Sequence, residues 1–160
     1  MSSIICTVNT TNLRYFHVYG PRQESNEFGG VCSIFTRNIL NSEPMVVHGT
    51  GKQMRTFTFV SDLVDANLAS CLYEHTGGQT YNVASSIQVS ILSLAERLAT
   101  INGLGNDAIA FGDRLIGDID YFDVSNKKCI DELGVGFQTD FWGTFESVFS
   151  DIKKSLLEEI

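Results

Sequence analysis

The chain has 160 residues, enough for one domain with its own core, and its balance of 43% hydrophobic to 19% charged residues is globular rather than disordered. With 11 basic against 19 acidic residues the net charge is −8, and no Lys/Arg cluster offers the face that nucleic acid requires. No apolar run approaches the roughly 20 residues of a membrane span, Met1 to Val8 lacks a basic region or cleavage signal, and four scattered cysteines without a C-x-x-C pair speak against disulfides or a zinc site, so a cytoplasmic protein without metal is expected.

Asn12 to His17 is rich in β-formers and stops at Gly20-Pro21, which predicts a short strand and a turn. Val31, Ile34, Phe35 and Ile39 recur at helical spacing, and Pro44 closes that helix. Two strands, Met45 to His48 and Thr56 to Val60, flank the turn Gly49-Thr50-Gly51. Ser61 reads as the N-cap of a helix to about Tyr73, with Asp62 and Asp65 near its positive end and Gly77-Gly78 beyond it. Tyr81 to Ala84 is a strand, and Ser90 caps a helix to Ile101. Ile119 to Phe122 is strand-like, and a helix from about Ser125 ends at Gly134. The last helix runs from near Thr144 to Leu157, its apolar stripe formed by Phe145, Val148, Phe149, Ile152 and Leu156. Alternating helices and strands favour an α/β fold, yet the strands are few and far apart for a self-contained sheet.

Six strings in order carry a more specific message. They are L-R-Y-F-H-V-Y-G-P-R-Q (13 to 23), H-G-T-G-K-Q-M-R-T-F-T-F-V-S-D-L-V-D-A (48 to 66), Y-N-V-A-S (81 to 85), S-I-L-S-L-A-E (90 to 96), R-L-I-G-D (114 to 118) and D-V-S-N-K-K-C-I-D-E-L-G (123 to 134). Together they resemble successive landmarks of the extended short-chain dehydrogenases, the family of NAD-dependent nucleotide-sugar epimerases and dehydratases. The resemblance implies an α/β fold in which residues 1–160 form the single substrate-binding, C-terminal part, with 12–20 and 80–85 as strands left over from a Rossmann sheet. It also implies NAD as cofactor. The glycine-rich NAD loop and the family's Tyr-x-x-x-Lys pair, in which the Lys lowers the Tyr pKa for proton transfer, are both absent. The residues four positions after Tyr15, Tyr19, Tyr73, Tyr81 and Tyr121 are Tyr, Gln, Gly, Ser and Ser. No catalytic residue is therefore expected within the chain, which resembles a fragment.

By the same resemblance, Tyr15 and Phe16 stand where an aromatic wall faces the nicotinamide, although a buried aromatic strand accounts for Phe16 equally. His17 stands where many members carry a substrate-binding Asn, with a structural histidine as the alternative. Arg55 matches the arginine that grips the substrate diphosphate, a task suited to a planar, bidentate guanidinium. Val31, Val46 and His48 match positions lining the base pocket, while core packing also explains the valines. Arg114 and Asp118 resemble the nucleotide-contacting pair of R-x-G-D, with one extra residue between them here. The R-Y-F-x-V-Y-G and G-x-G-x-Q-x-R patterns look most like the UDP-hexose 4-epimerase branch, with a dehydratase or decarboxylase next. The other readings are a non-catalytic module that binds a nucleotide sugar, a subunit complementing a separate Rossmann chain, or a degraded gene product that does nothing specific. A UDP-sugar is the implied ligand, and a homo-oligomer or a complementing Rossmann half the implied partner.

Overall fold

The computed structural model describes residues 8–24 and 30–158. Its elements run β1 (Asn12–Tyr15), β2 (Val18–Tyr19), α1 (Val31–Leu40), β3 (Met45–His48), β4 (Met54–Thr56), β5 (Thr58–Phe59), α2 (Val60–Leu72), β6 (Thr80–Val83), β7 (Gln88–Ser90), α3 (Ile91–Ile101), β8 (Ile109–Gly112), α4 (Lys127–Leu133) and α5 (Phe141–Glu158). Among the described residues the strands form four pairs. β1 and β6 are parallel, with Leu13 opposite Tyr81, and β3 and β8 are parallel, with Met45 opposite Ile109. β2 and β5 are also parallel, and only β4 and β7 run antiparallel.

Two apolar clusters hold these pieces. In the larger, the inner faces of α1, α3 and α5 close over β3, and Tyr19, Phe57, Phe141 and Phe145 stack within it. Phe145, Leu94 and Leu98 are fully buried there, so the helical spacing predicted for α5 does face the core. The Tyr19 hydroxyl meets Thr144 Oγ1 at 2.7 Å, tying β2 to α5. The smaller cluster packs Leu63 and Ala66 of α2 against Tyr81 and Val83 of β6 and against Cys129 and Leu133 of α4.

Several local expectations hold. Ser90 Oγ accepts the Ser93 amide at 3.0 Å and caps α3, and Gly134 ends α4 at φ 68, the left-handed cap position. Others are corrected. The first strand stops at Tyr15, because His17 takes φ 38 and breaks the extended run before β2. The strand expected at Thr56 to Val60 is split: Phe57 leaves the ladder, and its amide donates to the Ile87 carbonyl at 3.3 Å. α2 starts at Val60, so Phe59 holds the cap position without a side-chain bond and Ser61 lies inside the first turn. Asp62, 4% exposed, instead accepts the Gln138 amide at 3.0 Å, fastening the approach to α5 onto α2. Ile119 to Phe122 forms no strand, although the Asp120 carbonyl accepts the Met54 amide at 2.8 Å. Two strands, β7 and β8, went unseen in the sequence. α5 begins at Phe141, three residues early, where Asp140 Oδ1 accepts the Gly143 amide at 3.0 Å.

Candidate nucleotide-sugar site

The β3–β4 connection turns through Gly49 at φ 65 and Gly51 at φ 69. Gly51 is the more constrained: a Cβ there would lie 2.6 Å from Val47 Cγ1 and 2.7 Å from Leu92 Cβ. The tight turn lays β4 beside the start of α3 and brings the Arg55 side chain toward the loop after β8. Between α1, β3, β4 and that loop lies a cleft of about 510 Å³. Val31 and Ile34 form its helical wall, Val46 and His48 the strand wall, and Arg55 and Asp118 its polar end.

Arg55 is the most committed side chain of the cleft. Its Nη1 donates to the Met54 carbonyl at 2.8 Å and the Ile119 carbonyl at 2.7 Å, and its Nη2 pairs with Asp118 Oδ1. Both partners of that pair are nearly enclosed, with 11% and 13% of their side chains exposed. The Phe122 ring lies 5.4 Å from the guanidinium carbon. Arg114 reaches the Asp118 carbonyl at 2.9 Å and Asp120 Oδ1 at 2.7 Å, a pair exposed enough that its contribution to stability is small. The His48 ring sits 2.9 Å from the Asp113 carbonyl, and Gln53 Nε2 donates to the His48 carbonyl at 2.9 Å.

The nine residues singled out from the sequence thus separate in space. Val31, Val46, His48, Arg55 and Asp118 line one cleft, and Arg114 braces the turn beside it. Tyr15 lies elsewhere, half exposed, its hydroxyl donating to Asn67 Oδ1 at 3.0 Å beside a second hollow between β1 and α2. Phe16 is half-buried next to it. His17 is held edge-on to Phe122 at 5.2 Å, and its buried Nδ1 has no hydrogen-bond partner. Burial first, and then the nearby Arg55 charge, hold the His17 pKa below its usual value. The sequence reading missed Arg37, Asn38 and Gln53, all of which line the cleft. Arg37 and Asn38 follow Val31 and Ile34 along α1 at intervals of three and four, so extending the helical period by one turn would have found them. Among the described residues no group of His, Cys, Asp or Glu side chains converges as a metal site would, and no helix is long and apolar enough to cross a membrane.

The architecture and its cleft define part of an extended short-chain dehydrogenase fold. The model of the NAD dependent epimerase/dehydratase family matches residues 6–84 of the chain. The chain is 40% identical over 86 residues to the UDP-N-acetyl-alpha-D-glucosaminuronate decarboxylase of Bacillus cytotoxicus, covering 54% of this chain and 26% of that protein. Among solved structures, the UDP-glucose 4-epimerase of Thermotoga maritima with UDP-glucose superposes with a TM-score of 0.83 at 26% identity, over 93% of this chain and 47% of that one. The UDP-glucuronic acid 4-epimerase of Bacillus cereus, in complex with UDP-glucuronic acid and NAD, gives 0.81 at 25% identity, over 91% and 45%. The chain therefore spans about half the length of these solved relatives and about a quarter of the decarboxylase.

Proposed function

We propose that this chain is the nucleotide-sugar-binding half of an NAD-dependent enzyme that epimerises a UDP-hexose at C4. The observation that carries the reading is the convergence of Val31, Val46, His48, Arg55 and Asp118 on one cleft, from four separate parts of the sequence. An apolar wall with a few converging polar groups is the usual composition of a small-molecule site. In this reading the valines flank the uracil, and Arg55 meets the diphosphate through the Nε/Nη2 edge of its guanidinium. The sugar then extends toward His17 and the end of β1. A uronic-acid decarboxylase is the second reading, favoured by the 40% identity to such an enzyme.

The residues present do not fit NAD by themselves. β5 runs directly into α2 and β7 into α3, and neither strand-to-helix junction carries the glycine that lets a backbone approach a pyrophosphate. NAD supplies hydride transfer in this family, while Tyr15 and Phe16 offer at most an aromatic wall for the nicotinamide. The 160 residues should bind a UDP-sugar and show no turnover. Calorimetry of the purified chain with UDP-glucose, UDP, UMP and NAD tests this. Heat from UDP-glucose and UDP with little from NAD is expected. Stoichiometric NAD in the purified chain, or no heat from either uridine diphosphate, would overturn the assignment.

A further inference from the structure

Asp118 lies against the one residue expected to grip a phosphate, and it is itself an anion. A guanidinium has five N–H donors. In Arg55, Nη1 gives both of its hydrogens to the Met54 and Ile119 carbonyls, and Nη2 gives one to Asp118. Among the described residues nothing accepts from Nε. A two-point grip on a phosphate needs adjacent donors, so the only usable edge is Nε with Nη2, and Nη2 already carries the Asp118 carboxylate. Two anions drawn to one nitrogen in a nearly enclosed place repel each other strongly.

We infer that Asp118 is an exchangeable counter-ion that sets the charge the cleft accepts: it neutralises Arg55 until a ligand with a diphosphate takes over the Nε/Nη2 edge. This rests on the nucleotide-sugar reading and gives Asp118 a different role from nucleoside contact. A diphosphate, with two charged groups and many acceptor oxygens, competes well with a carboxylate for that edge, whereas a single phosphate competes poorly. The 114–118 turn is built to be released. Apart from its oxygen on Arg55, it is held by Arg114 on the Asp118 carbonyl and on Asp120 Oδ1, an exposed pair, and by the Asp118 amide on the Leu115 carbonyl at 3.2 Å. Gly117 sits at φ 80 with open space around it, and Ile116 at the tip is fully exposed.

The test is calorimetry of the wild-type chain, Asp118→Asn and Asp120→Asn with UDP and UMP. Asp118→Asn keeps an oxygen acceptor for Nη2 and removes the competing charge, so UDP affinity should rise about tenfold and UMP affinity much less. Asp120→Asn removes an exposed charge that does not touch Arg55 and should leave both unchanged. Loss of UDP and UMP affinity to the same degree in Asp118→Asn would show that Asp118 contacts the nucleoside and overturn the inference. An equal rise in Asp120→Asn would overturn it too, as an effect of surface charge. Wild-type binding of UDP with no change in Asp118→Asn sinks the counter-ion role but leaves the nucleotide-sugar reading standing, whereas no UDP binding by any form sinks both. Trypsin gives a readout that needs no variant, because Arg114 is the sole Lys or Arg between Arg97 and Lys127. UDP should speed cleavage after Arg114 by loosening the turn, and protection by UDP would overturn the inference.

Discussion

Replacing Arg55 by alanine removes one ligand-facing edge and three protein hydrogen bonds at once, so binding and stability must be read together. On the ligand side, the lost interaction is a hydrogen bond to a charged group, about 1.5–3 kcal/mol, or roughly 10- to 150-fold in the Kd for UDP. UMP, which has no diphosphate, should lose far less. On the protein side, the variant leaves the Asp118 carboxylate and the Ile119 carbonyl without their donor. An enclosed polar group stripped of its partner costs about 1–3 kcal/mol, and in a chain of this size that lowers Tm by roughly 2–4 °C per kcal/mol. Arg55→Lys restores the charge but not the planar fork, so it should recover part of the stability and little of the UDP affinity. Calorimetry with UDP and UMP, combined with thermal unfolding of both variants, makes the comparison. Equal losses for UDP and UMP, following the loss of stability, would show that Arg55 only braces the 113–120 loop, and the site assignment would fall.

Two further outcomes follow from the geometry. Gly51→Ala should cost about 1–2 kcal/mol for the left-handed backbone plus about 1–3 kcal/mol for a Cβ forced against Val47 and Leu92. Gly117→Ala, at φ 80 in open space, should cost only the first part, and equal losses in urea unfolding would contradict this. His17 has a folded pKa below the ordinary 6.5, so the unfolded chain binds the extra proton first as the medium acidifies. Its contribution to stability is therefore complete above the unfolded value and is lost as pH falls through the folded one. His17→Gln should flatten the fall in stability that sets in as pH drops through the ordinary imidazole value of about 6.5, and an unchanged slope would mean that the imidazole is not desolvated.

Some of this protein was legible in its sequence because the signals are local. The helical spacing of Val31, Ile34, Phe35 and Ile39 gave α1, the Ser90 hydroxyl gave the start of α3, and Gly134 gave the end of α4; each depends on torsions and neighbours within a turn or two of chain. The ordered motifs from Leu13 to Gly134 gave the family for a related reason, since each fixes a short backbone shape or a side-chain type. What the sequence withheld depends on partners far along the chain. β8 is a strand because β3, more than sixty residues earlier, offers it a ladder. Phe57 breaks the strand expected at Thr56 to Val60 because its amide is claimed by Ile87. Ser61 is no cap because β5 and α2 meet without a loop, leaving Asp62 to fasten Gln138 instead. The same distance separates Arg55 from Asp118, 63 positions apart and joined in an ion pair. The sequence could nominate Arg55 for the diphosphate and Asp118 for the nucleotide. Only folding could set one against the other, because whether two opposite charges meet is decided by where the backbone carries them.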